Sequence, residues 1–161
     1  MQLASTITTR MQYQHKSLVD LIDGLTEEQV RRNIIPGKWS IFENIVHLQT
    51  YQHAFRGRLE TILKEEDPPF PRYAADADPV FLENCKRSLR EIMQDYITAR
   101  KEICASVLTL DAKTLARTAT HPFFGKMNVP QWLNFFLLHE AHHFFTILRL
   151  GAELKREAAN L

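Results

Sequence analysis

The sequence predicts an all-α protein, a four-helix bundle in a single domain covering residues 1–161. Three observations carry this. Apolar residues recur at helical spacing over four separate stretches, each long enough for several turns. No stretch alternates convincingly as a strand would. The chain has 161 residues and is 45% hydrophobic, enough to bury one core unaided. Four long helices of this kind imply an antiparallel or mixed bundle.

Helix one is expected over roughly residues 3–23, with Leu3, Ile7, Met11, Leu18, Ile22 and Leu25 recurring and Gly24 closing it. Thr26–Glu27–Glu28–Gln29 is a capping-box pattern for a short turn of helix, and Pro36–Gly37 then breaks the chain. Ser40 and Glu43 form a second capping box that opens helix two, whose stripe is Ile41, Ile45, Leu48, Phe55, Leu59 and Ile62. Residues 65–79, EEDPPFPRYAADADP, are a proline-rich acidic connection. At about 3.3 Å per residue it can run the length of a helix. Asp78 as N-cap and Pro79 as first residue start helix three, with a stripe of Leu82, Cys85, Leu89, Met93, Tyr96, Ile103 and Val107. Arg100 interrupts that stripe and is read as snorkelling to solvent rather than meeting an anionic ligand. Cys85 and Cys104 lie 19 residues apart on this one helix, too far to bridge, and are taken as free thiols. A second connection covers residues 109–128; Asn128 caps helix four, Pro130 sits in its tolerant first turn, and Gly151 ends it before a polar tail.

Lys plus Arg (20) nearly balance Asp plus Glu (19), which gives no electrostatic case for nucleic acid or an acidic membrane surface. The N-terminal stretch lacks a signal peptide's apolar core and no segment could span a bilayer, so a cytoplasmic location is expected.

Helix four holds the chemistry. Trp132, Phe136, His139, His143, Ile147 and Leu150 share one stripe, so two histidines four residues apart occupy an apolar face where unpaired polar groups are costly. Both imidazoles can reach one ion. His139–Glu140–Ala141–His142–His143 also matches the H-E-x-x-H zinc-protease pattern. That reading needs a further ligand downstream and a substrate strand, and only 18 residues follow His143. A third ligand from a facing helix fits better, because catalytic metal sites use three protein ligands and leave a position open. His47 on helix two is the best candidate, although it lies about 120° from that helix's stripe and reads alone as a flank residue. His142 is about 80° off the stripe and is assigned a supporting role behind the ligands. Glu140 is the one adjacent carboxylate, either a catalytic base or a surface residue. Leu133, Leu137, Leu138, Phe144, Phe145 and Leu148 make helix four apolar on its other sides too, more than one monomer can bury, which suggests a partner surface.

W-S-I-F-E-N-I-V-H-L (Trp39 to Leu48) and H-P-F-F-G-x-M…H-E-A-H-H (His121 to His143) resemble the two signature regions of the DinB/YfiT-like superfamily of metalloenzymes, in order along nearly the whole chain. The resemblance implies an up-down-down-up bundle and, often, a homodimer. It implies one divalent ion (nickel, zinc or manganese) on His47, His139 and His143. The implied activity is transfer of a low-molecular-weight thiol to an electrophile, or hydrolysis of a small molecule; the alternative is a non-enzymatic metal-binding or stress-response dimer. After the second ligand many members run on in polar residues to a glutamine, where this chain has Phe144–Phe145–Thr146. The departure detaches the substrate from any relative's.

Overall fold

A computed structural model describes residues 2–159. Its helices are α1 (Ser5–Tyr13), α2 (Ser17–Ile22), α3 (Glu27–Arg31), α4 (Ile41–Lys64), α5 (Pro79–Asn84), α6 (Leu89–Val107), α7 (Ala112–Leu115) and α8 (Val129–Ala159). A two-stranded hairpin, β1 (Thr118–His121) and β2 (Gly125–Asn128), precedes α8. The bundle proper is α1/α2, α4, α6 and α8.

The chain direction of each follows from which residues meet. Asn44 and His47 of α4 meet His143 and His139 of α8, so these two helices are antiparallel. Gln49, Gln52 and Arg56 of α4 bond Asp95, Arg100 and Glu102 of α6, so α4 and α6 are parallel. Arg10 and Gln14 reach Asn134 and Glu140, which sets α1 parallel to α8. The result is up-down-down-up. Two parallel neighbours need a full-length return, and the 65–79 connection supplies it; Phe70 N–H donates to Thr120 O and Thr120 N–H to Pro68 O, each at 3.0 Å, so this crossover leans on the hairpin.

Local signals explain most boundaries. Ser40 and Glu43 cap α4 reciprocally, with Glu43 N–H donating to Ser40 Oγ at 3.1 Å and Ser40 N–H to Glu43 at 2.7 Å. Asp78 accepts from Val80 N–H at 2.9 Å ahead of Pro79. Asn128 accepts from Gln131 N–H at 3.0 Å to open α8.

Four expectations are corrected. Helix one is interrupted by a 3₁₀ turn at Gln14–Lys16. Helix three is two helices, because Ser88 and Glu91 form a capping box that restarts the chain as α6; Cys85 therefore ends α5 rather than sharing a helix with Cys104, and both are free thiols. Residues 118–128 form strands, closed at the left-handed Gly125 (φ 71°). Gly151 does not end α8, which continues to Ala159. A Cβ there would lie 3.6 Å from Leu21 O, an ordinary van der Waals distance, so the position faces α2 and the helix runs through it unstrained. Residues 160 and 161 of the expected polar tail lie outside the described residues.

The core has two apolar clusters. One gathers Met11, Phe55, Trp132 and Phe136; the other gathers Leu18, Ile45, Ile92 and Ile147. Between them lies a polar layer of His15, Gln52, Arg100, Glu140 and the three predicted histidine ligands. No helix among the described residues is long and apolar enough to cross a membrane.

Candidate metal centre

His139 and His143 sit one turn apart on the α4-facing side of α8, as their spacing dictates. His47 projects from the second turn of α4 to meet them. One ring nitrogen from each of the three lies within 4.8 Å of the other two. His47 Nε2 and His139 Nε2 are 2.9 Å apart. The ring centroids are 4.9, 4.5 and 4.7 Å from one another.

Two imidazole nitrogens bound to one ion at about 2.0–2.1 Å in a tetrahedral site would stand about 3.4 Å apart, so small ring adjustments suffice. The donor set therefore fits a divalent ion. Electrostatics agree: burial, reinforced for His139 and His143 by the neighbouring imidazoles, lowers His47 to about 4, His139 to about 3 and His143 to about 2. All three are neutral at pH 7, which is the form that coordinates.

One ligand is braced from behind. His143 Nδ1 is 2.8 Å from Asn44 Oδ1, an acceptor, so Nδ1 carries the proton and Nε2 is left for an ion. Asn44 is itself fixed by donating to Ser40 O at 2.8 Å. The Nδ1 atoms of His47 and His139 are buried without partners among the described residues.

Aromatic rings wall the centre. Trp39 lies 5.0 Å from His47 and 6.2 Å from His143, Tyr51 lies 4.4 Å from His139, and Tyr73 of the crossover lies 5.9 Å from His47. Trp39 Nε1–H donates to Asp76 at 3.1 Å, and the Asp76 charge acts on His47, opposing the effect of burial. Asn44, Trp39, Tyr51, Tyr73 and Asp76 were not singled out as site residues in the sequence. Asn44 had a signal: a polar side chain at i−3 from His47, just past the capping Glu43 and followed by the apolar Ile45 and Val46.

A cavity of about 870 Å³ opens beside His143. Its wall comes from Ile34 to Trp39, ahead of α4, and from the C-terminal half of α8. The 65–79 and 109–128 connections do not line it; the crossover instead lies against His47 through Tyr73, with Asp76 bonded to Trp39.

Glu140, Arg100, His47 and His142 need correction. Glu140 is 1% exposed and faces away from the three histidines, toward α6. It pairs with Arg100, which is 0% exposed, accepts from the Tyr96 hydroxyl, and accepts from Gln14 Nε2 at 2.8 Å. So Arg100 neither snorkels nor waits for a ligand, and Glu140 is neither a surface residue nor placed to act on the ion. His47 is buried, not a flank residue, because the crossover closes over it. His142 is exposed, lines the cavity, and has its ring 5.3 Å from that of His143, with no side-chain bond to a ligand among the described residues. His53, by Asp95, and His121, whose Nδ1 accepts from Phe123 and Phe124 N–H, lie apart.

Comparisons with known proteins agree with this fold. YfiT from Bacillus subtilis, described as a probable metal-dependent hydrolase with an unusual four-helix bundle topology, superposes with a TM-score of 0.81 at 17% identity, over 93% of this chain and 86% of that one. The four-helix bundle protein TT2238 superposes at 0.65 with 21% identity, over 88% and 95% of the two chains. The uncharacterised YuaE of Bacillus subtilis (strain 168) is 22% identical over 84% of this chain and 91% of its own. The family model of the DinB superfamily matches residues 10–147, and the chain belongs to that superfamily.

Proposed function

We propose that His47, His139 and His143 hold one divalent metal ion and that the chain is a metal-dependent enzyme acting on a small molecule in the cavity beside His143. The observation that carries this is the convergence of three neutral imidazoles next to a cavity of ligand size. Structural ions are enclosed by four protein ligands, whereas catalytic ones keep a position open, and this centre offers three. That difference favours an enzyme over a non-enzymatic metal-binding module. Imidazole suits zinc and nickel, while manganese prefers oxygen ligands, so the all-nitrogen set favours the first two.

A bound ion of this kind supplies a Lewis acid that lowers the pKa of a coordinated water or thiol. The chain's residues do the rest. Trp39, Tyr51 and Tyr73 keep bulk water from the centre, and Asn44 holds the His143 ring with Nε2 presented. Glu140 is tied to Arg100 and is not placed to accept a proton at the ligands. The reaction is attack by water, or by a low-molecular-weight thiol, on an electrophilic small molecule. The description of YfiT supports hydrolysis; thiol transfer would use the same open position.

The test is elemental analysis of the purified protein and of His47→Ala, His139→Ala and His143→Ala, with hydrolysis and thiol-conjugation screens on each. About one ion per chain is expected in the parent and loss of both metal and turnover in the variants. Turnover surviving in metal-free His143→Ala would overturn the proposal.

The assembly is a homodimer built on α8. Leu138, Phe145 and Leu148 are 55%, 60% and 52% exposed and recur along one side of that helix. Burial of this row against a second copy removes from water the apolar surface that one bundle leaves uncovered.

A further inference from the structure

We infer that the substrate carries an oxyanion, a carboxylate or a phosphate, which Lys38 and Arg149 hold in the cavity while its reacting group lies at the ion beside His143. This rests on the metal-dependent reading above and adds the substrate's charge and length.

The cavity lining mixes three kinds of residue. Asn44, His143 and Trp39 belong to the metal centre's own wall. Ile34, Ile35 and Leu150 add apolar surface. The charged lining residues are unequal in availability. Arg156 is paired with Glu153, and Glu157 with Arg32. Lys38 and Arg149 also line the cavity, from different elements, and neither has a carboxylate partner among the described residues. Two free cations facing one cavity from two sides, with the lining carboxylates already neutralised, select an anion. The guanidinium of Arg149 matches the planar geometry of carboxylate or phosphate, and Lys38 adds a point charge.

Length follows from the helix. Arg149 lies six residues after His143 on α8, or about 9 Å along the axis at about 1.5 Å per residue. A chain of about six methylene-sized atoms between the reacting group and the anion spans that distance, and Ile34, Ile35 and Leu150 in the cavity wall suit such a linker.

The experiment uses matched thiols that differ only at the far end: 6-mercaptohexanoate, 6-mercaptohexyl phosphate and 6-mercaptohexanol. Each is titrated into the full-length protein loaded with cobalt(II), and binding is followed by the thiolate-to-cobalt charge-transfer band. At least one anionic thiol is expected to bind about tenfold or more tighter than the alcohol, from charge-assisted hydrogen bonds. Whichever anion binds tighter identifies the oxyanion. Lys38→Gln and Arg149→Gln, both at exposed positions, should each reduce this preference several-fold while leaving cobalt content and the affinity for 6-mercaptohexanol unchanged. Equal affinity for all three thiols, or a preference that survives in the double variant, would overturn the inference. A protein that binds no cobalt, or gives no thiolate band with any thiol, would instead overturn the metal-dependent reading, so the two failures are distinguishable.

Discussion

Replacing Glu140 with Gln strands the Arg100 guanidinium in the core, and the cost can be worked from its surroundings. Arg100 donates to Glu140 and, through Nε, to Gln52 Oε1 at 3.1 Å; its third nitrogen, Nη1, already lacks a partner. The cation also lies over Phe136, 4.6 Å from the ring centroid. Glutamine keeps one acceptor oxygen for the Tyr96 hydroxyl but removes the countercharge from a guanidinium that water does not reach. Breaking a buried pair from one side costs about 3–5 kcal/mol. Domains of this size have about 5–15 kcal/mol in total, so Glu140→Gln should lower the melting temperature by roughly 6–20 °C at about 2–4 °C per kcal/mol. Arg100→Met with Glu140→Leu removes both charges and should lie within about 2 kcal/mol of the parent. Urea unfolding of the parent, Arg100→Met, Glu140→Leu and the double, all in EDTA, gives the coupling energy, expected at about 2 kcal/mol or more. A coupling below about 0.5 kcal/mol would refute the claim that the pair is a mutually dependent unit.

Acid should weaken the metal-free fold before its carboxylates titrate. Burial lowers His15 and His47 to about 4, His139 to about 3 and His143 to about 2, all below the unfolded value near 6.5. The stability they contribute is complete above about pH 6.5 and is lost as pH falls toward 4, at about 1.4 kcal/mol per pH unit for each histidine; urea midpoints that stay flat from pH 7 to 5 would contradict this. Because acid shifts the metal-free chain toward an unfolded state whose histidines take up protons near 6.5, metal content should fall as pH drops below about 6, as dialysis and elemental analysis would read. Asn44→Ala should weaken metal affinity by about 10- to 100-fold in competition with a chromophoric chelator, and an unchanged constant would show that His143 needs no brace. Light scattering should give twice the monomer mass of 18.8 kDa, falling to the monomer in Phe145→Glu; a monomeric parent at high micromolar concentration counts against the dimer.

The helix-four histidines were legible in the sequence because the information is local: two residues four apart on an apolar face must point the same way. His47 was misplaced by periodicity because the stripe of α4 describes only one of its neighbours. From Ile41 to Gln52 every residue except Glu43 is buried, enclosed by α6, α8 and the crossover, so the flank of the stripe is interior. The buried ion pair was missed for a related reason. Arg100 and Glu140 are 40 residues apart and each, alone, looks like a long side chain with access to water. Read together, the pattern was present: Gln14, Gln52, Tyr96, Arg100 and Glu140 come from all four bundle helices at positions that face the core, and polar groups in such positions need one another. The break in helix three was also written locally, since Ser88–Leu89–Arg90–Glu91 is the same capping box that marks α3 and α4. What no local pattern contains is how the polar layer divides. Glu140 lies between His139 and His143 in sequence, yet the helix turns it toward α6 while they face α4. Gln52 follows His47 on α4 and joins the Arg100 side. The ion pair and the histidine cluster thus sit back to back on the same two helices. The carboxylate that resembles a protease base is bound to Arg100 inside the bundle, and the candidate centre consists of three imidazoles, their Asn44 brace and the cavity beyond.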